Sequence, residues 1–182
     1  MKKGVLIIFV IVITSLALIF SRNLKTHVEV ENLHDFLNVS SNRIQVYNEA
    51  IKLNQGSSKN TCVYFISEVL RKNNFSVPKE TSNTSQLITL LKKKGWKKQS
   101  DFEKLSPGDI CFTTNENSSK DSNPSHTYVF MKWVKAGSYD YAYVCDNQAK
   151  DYSGKIYHIR NIRVTTKVNG FVKDAFAFFM KV

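Results

Sequence analysis

The amino-acid sequence predicts an α+β domain, with helices first and about five antiparallel strands after them. Apolar residues recur at helical spacing between Ile44 and Leu91, as at Cys62, Phe65, Ile66, Val69 and Leu70. Beyond Gly95 they form short β-like runs broken by turn residues, among them Ser106-Pro107-Gly108, Ala136-Gly137-Ser138 and Val168-Asn169-Gly170. At 182 residues, 42% hydrophobic and 12% aromatic, the chain suits one globular domain with a sizeable core and is short for two.

In chain order, Met1-Lys2-Lys3 precedes an apolar run from Val5 to Phe20, interrupted by Thr14 and Ser15. A basic start before an apolar stretch is a secretory signal or a signal anchor. The run is slightly short of the ~20 residues that span a bilayer comfortably. Ser15-Leu16-Ala17 offers a small-x-small cleavage site, yet apolar residues continue past it. This favours an uncleaved anchor over residues 1–22, its lysines in the cytoplasm, with secretion after cleavage as the alternative. Residues 23–41 are polar and mixed and read as a stalk, in which His27 and His34 have no companions at ligand spacing. The domain itself is expected over 42–182, on the outer face of the membrane.

A first helix near Asn42 to Leu53 follows from Ile44, Tyr47 and Ile51, and Gln55-Gly56-Ser57-Ser58 breaks it. The second, from about Asn60 to Lys72, takes Asn60 or Thr61 as its side-chain cap and places Cys62 at the head of its apolar face. Ser76-Val77-Pro78 forces an extended exit. A third helix starts after Thr84 and stops at Gly95, behind three lysines. The strands are then Asp109–Thr113, the pair "HTYVFMKWV" and "YDYAYVCDNQ" as a hairpin, "KIYHIRNIRV" and "DAFAFFMKV". Between the first two lies "TTNENSSKDSNPS", a loop without apolar residues that is free to line a cleft.

The formal net charge of +11 is scattered, with its densest patch at Leu91–Lys98. Such an excess favours anionic partners such as wall polymers or an acidic membrane surface. No nucleic-acid motif and no aromatic stacking platform accompanies it, so nucleic acid is not the expected partner.

Three cysteines is an odd number, so outside the cytoplasm at least one thiol stays free or pairs between chains. Cys111 and Cys145 sit in apolar strand runs, as small buried hydrophobes or as a pair. Cys62 is different. In the first turn of a helix, unsatisfied backbone N–H groups and the positive dipole end favour a thiolate and can donate to an oxyanion. A nucleophilic thiol needs a base, and the base needs an acceptor for its second nitrogen. His126 opens a strand directly after the polar loop, whereas His158 sits mid-strand, where a structural role is expected. "CDNQ" at Cys145–Gln148 closes the strand paired with that of His126, which brings back Asp146 or Asn147.

In this order "NTCVYFISEVL", "GW", "LSPGDICF", "SHTYVFMKWV" and "YVCDNQ" resemble the CHAP family (cysteine, histidine-dependent amidohydrolase/peptidase) and the related NlpC-type cell-wall peptidases. The resemblance implies a papain-like domain that cuts amide or peptide bonds of peptidoglycan, without metal or organic cofactor. Carried over, it makes Cys62 the nucleophile, His126 the base and Asp146 the orienting acid. Gln55, seven residues before Cys62, would stand where papain-like enzymes keep an oxyanion-hole glutamine. Thr127-Tyr128 follows the histidine where the family often has a small residue, and the Asp146-Asn147 pair replaces its usual Glu or single Asn.

Hairpin register bears on that last choice, because residues opposite each other in an antiparallel pair share a face. A two-residue Gly137-Ser138 turn pairs Ala136 with Tyr139 and favours Asn147, while a three-residue turn ending at Tyr139 favours Asp146. A bulge reverses either parity. The resemblance tips the choice to Asp146. The expected function is an extracytoplasmic thiol hydrolase of peptidoglycan peptides, and its rival is a catalytically silent papain-like module that binds wall polymer or a partner protein. Cell fractionation is expected to recover the full chain with the membranes; an active, soluble cytoplasmic form would contradict the anchor.

Overall fold

The computed structural model describes residues 33–115 and 123–182, with residues 14, 15 and 21 besides. Most of the expected anchor over 1–22, residues 23–32 of the stalk and residues 116–122 of the polar loop lie outside the described residues. Among the described residues, no helix is long and apolar enough to cross a membrane.

A helical segment at 33–38 precedes α1 (Ser40–Leu53), α2 (Cys62–Lys72) and α3 (Thr84–Lys93). Leu33 and Leu37, one turn apart, are fully buried in the same core as Val46 and Ala50 of α1. Residues 33–41 therefore belong to the domain, and the expected stalk over 23–41 is shorter than its polarity suggests. Two leucines at i, i+4 are enough to dock a turn of helix when their polar neighbours face water. The central helix is α2, buried from Phe65 through Leu70. Its partly buried Glu68 is paired with Arg71 at 2.7 Å, and Arg71 also donates to the carbonyls of Val77 and Pro78, tying down the exit of the helix. Asn83 caps α3 by accepting from the Gln86 N–H at 3.0 Å, and Gly95, at φ +92°, ends it.

Eight strands follow: β1 (Lys97–Gln99), β2 (Ile110–Thr113), β3 (His126–Lys135), β4 (Ser138–Cys145), β5 (Tyr157–Asn161), β6 (Thr166–Val168), β7 (Phe171–Lys173) and β8 (Phe176–Lys181). Six of them form one antiparallel sheet in the order β1-β8-β2-β3-β4-β5, and β6-β7 is a separate hairpin. The α+β class holds, with more strands than the five expected. β1 is an edge strand, exposed along its whole length, and carries no apolar alternation to reveal it. The run "KIYHIRNIRV" is broken because the Asn161 side chain accepts from the N–H groups of Arg163 and Val164, a turn that competes with the ladder.

The sheet is buried on both faces. Ile110, Phe112, Val129, Met131, Phe178 and Met180 share the main core with Phe65, Ile66 and Val69 of α2. Their alternates Cys111, Tyr128, Phe130, Val144 and Phe179 form a second cluster on the other side. Cys145 lies in the first cluster and Cys111 in the second, and all three cysteines are free, so the sheet itself separates the two strand thiols.

The β3–β4 hairpin differs from both expected turns. Lys135 pairs with Ser138, so the turn is Ala136-Gly137, with Gly137 at φ +75°. The register shifts between Trp133 and Lys135 and again between Phe130 and Lys132, after which Val129 pairs with Cys145. The second shift reverses the parity set by the turn. Continued to the end of β4, it puts even-numbered residues of both strands on one face.

Leu37→Ala is expected to lower unfolding free energy by about 2–5 kcal/mol, read by urea denaturation of the soluble domain. A loss under ~0.5 kcal/mol would return residues 33–38 to the stalk.

Candidate active site

The thiol is placed by the loop before α2. Thr61, the residue before the helix, is fully buried, and its hydroxyl turns backwards to donate to the Ser57 carbonyl at 2.8 Å. The Asn54 side chain reaches the same loop, donating to the Lys59 carbonyl at 2.7 Å and to the Thr61 hydroxyl at 3.0 Å. Neither Asn60 nor Thr61 serves as the expected side-chain cap: the hydroxyl of Thr61 is spent on the loop, and Asn60 sits in left-handed backbone at φ +55°. The helical ladder begins with the Phe65 N–H on the Thr61 carbonyl, so the N–H groups ahead of it, starting at Cys62, stay outside it.

His126 is the first residue of β3, opposite Thr113 of β2, and only 8% exposed. Its Nε2 donates to Asp146 Oδ2 at 2.8 Å. That bond fixes the ring and leaves Nδ1 as the nitrogen free to serve the thiol. Cys62, half-buried at the tip of α2, lines the same cavity as the ring and raises its pKa. Asp146 follows the last residue of β4 and is fully buried, its other oxygen accepting from the Gln148 N–H at 2.8 Å. The structure thus brings together Cys62, His126 and Asp146. Asn147 lines the same cavity, and its side chain donates to the Ser58 carbonyl at 3.2 Å, bracing the loop that leads to Cys62. Gln55 is exposed and at φ +54°, and it does not line the cavity that holds the thiol.

The charges are tuned by contact. Burial pulls the His126 pKa down, but the hydrogen bond to Asp146 and the adjacent Cys62 outweigh it and raise it above its ordinary value. Burial pushes Asp146 up, while the nearby His158, the His126 bond and the Gln148 N–H together hold it well below the usual carboxylate range. His158 is the residue that sequence reasoning set aside. Its Nδ1 donates to the Lys155 carbonyl at 3.1 Å, its ring stacks on Tyr152, and its Nε2 lies 3.9 Å from Asp146 Oδ1. Burial, above all, lowers its pKa, against the pull of the nearby Asp146 carboxylate, which raises it.

A cavity of about 160 Å³ holds Cys62 and His126, with Arg160 of β5, Val172 and Lys173 of β7, and Asp174 just beyond it among its walls. Sequence reasoning missed these walls. The available signal was parity: Val144 pairs with His158 and Ala142 with Arg160, so both lie on the even face that Asp146 continues. Among the described residues no group of three His, Cys, Asp or Glu side chains is arranged to hold a metal ion.

Fold and site together define an α+β domain with a thiol, an imidazole and a carboxylate gathered at one end of its sheet. No protein-family model matches the chain, and no curated protein matches it. Among solved structures, a Staphylococcus aureus protein described as similar to lipoprotein, of the NLP/P60 family, aligns at 15% identity with a TM-score of 0.30. The alignment covers 68% of this chain and 42% of that one, so this chain spans less than half of its length.

Cys62 is expected to react with iodoacetamide in the folded protein, while Cys111 and Cys145, sealed in the two cores and raised in pKa by burial, react only after unfolding. Mass spectrometry of native and denatured samples reads this directly; equal labelling of all three native thiols would contradict it.

Proposed function

We propose that the chain is a papain-like cysteine hydrolase of the CHAP or NlpC kind, acting outside the cytoplasm on amide bonds of cell-wall peptidoglycan. The observation that carries this reading is the buried 2.8 Å bond from His126 to Asp146 with the Cys62 thiol beside the same ring. Each part has a chemical task. As Cys62 Sγ bonds to the substrate carbonyl carbon, its proton passes to His126 Nδ1, and Asp146 stabilises the imidazolium that forms. The carbonyl oxygen gains negative charge within reach of the first-turn N–H groups of α2 that the backward-turned Thr61 leaves uncapped. The amine leaves with the proton returned by His126, and a thioester remains. Water, deprotonated by the same ring, then releases the acid and regenerates the thiol.

The N-terminal segment over 1–22 would hold the domain at the outer face of the membrane, or direct its secretion if cleaved. The net charge of +11 suits a protein that works among anionic wall polymers.

The test is release of new amine termini from purified peptidoglycan, followed by mass spectrometry, with Cys62→Ala as the inactive control. Asp146→Ala is expected to lower turnover by about 10²–10⁴-fold, and Asn147→Ala by less than ~10-fold, once circular dichroism confirms that both variants fold. A large loss in Asn147→Ala beside a near-normal Asp146→Ala would reverse the assignment of the third residue. No Cys62-dependent release from any peptidoglycan preparation would refute the hydrolase.

A further inference from the structure

Arg160 is a buried charge that faces the Tyr128 ring, 5.3 Å from its centroid, and meets no carboxylate among the described residues. It is 3% exposed, in the middle of β5, and lines the cavity that holds Cys62 and His126. Its Nη2 donates to the backbone carbonyl of Asp174, but Nε and Nη1 have no hydrogen-bond partner among the described residues, and the guanidinium makes no ion pair there. The described carboxylates beside it are engaged elsewhere. Asp146 serves His126 and the Gln148 N–H, and Asp174 accepts from the Ser125 hydroxyl at 2.6 Å. Lys173, the other cation of the wall, is 2% exposed and already paired with Asp151 at 2.5 Å. A guanidinium removed from water with two donors unmade is a costly arrangement unless something arrives to complete it.

The same cavity also carries unmet acceptors. Asn147 Oδ1 and Gln148 Oε1 are buried without partners among the described residues, and the Asn147 orientation is set by its bond to Ser58. Unmade donors on one wall and unmade acceptors on another match a group that brings both a carboxylate and an N–H. The volume of about 160 Å³ equals roughly five waters at about 30 Å³ each, room for one small amino-acid unit. Arginine's planar fork suits a carboxylate better than any other anion of that size.

We propose that Arg160 is a carboxylate-recognition residue, and that the group taken beside Cys62 is a peptide unit bearing a free carboxylate next to the bond to be cut. The proposal rests on Cys62 being the attacking thiol, but its test needs no turnover. Iodoacetate and iodoacetamide alkylate a thiol by the same displacement of iodide and differ in whether they carry a carboxylate. At Cys62 the iodoacetate-to-iodoacetamide rate ratio is expected to exceed that of glutathione in the same buffer by about tenfold, as a nearby buried cation attracts the anionic reagent. Arg160→Gln should return the ratio to the glutathione value, and Arg160→Lys should keep part of it. Sodium acetate, at equal ionic strength with sodium chloride, should slow alkylation by iodoacetamide in the unmodified protein; this arm decides if Arg160→Gln does not fold. A ratio equal to that of glutathione, a preference that survives Arg160→Gln, or no protection by acetate would each overturn the proposal. Peptidoglycan turnover without the preference would sink the carboxylate site alone, and the preference without turnover would sink the hydrolase and leave the site standing.

Discussion

The buried hydrogen bond from His126 to Asp146 is the interaction on which the rest of the site depends. It links the first residue of one strand to the first residue beyond the next, so it exists only if β3 and β4 pair in one register. The turn at Ala136-Gly137 does not set that register. The shift between Phe130 and Lys132 does, by adding one residue to β3 and reversing which alternate positions share a face. Met131 is the residue carried across that shift, and it is fully buried in the core beneath α2. A packing decision in the hydrophobic core thereby selects which polar side chain meets the imidazole.

Around this bond, one row of positions on one face of the sheet carries polar groups where the rest of the face is apolar. Tyr128, Phe130, Ala142 and Val144 pack together, and at the end of the same alternation stand His126, Asp146, His158 and Arg160. Burial of so many titratable groups destabilises a fold unless each is engaged. His126 and Asp146 hold one another, whereas His158 Nε2 and two donors of Arg160 have no hydrogen-bond partner among the described residues. Cys62 arrives from a different layer, delivered by the loop that Asn54, Thr61 and Asn147 hold together.

Much of this arrangement was legible in the sequence. Cys62 and His126 each mark the start of an element, and such positions survive errors in strand count because caps and turns announce them locally. The α+β order was legible for the same reason. Asp146 was not readable from turn chemistry, since Gly137-Ser138 as a two-residue turn pointed to Asn147, and a bulge leaves no signature in the residues that make it. His158 looked structural from its mid-strand position because its neighbour Asp146 is distant in sequence. Leu33 and Leu37 were hidden by polar surroundings, and β1 by having no apolar residue at all.

β8 runs between β1 and β2, so the last of the described strands lies inside the sheet rather than at its rim. β2, the floor against which His126 pairs, is flanked on its other side by Phe176–Lys181. Until those residues pair, β2 has one open edge and the second cluster lacks Phe179. Contacts that span so much of the chain form slowly. The floor beneath His126 is complete only once Phe176–Lys181 has paired with β2, so the longest-range pairing in the sheet supports the strand that carries the imidazole.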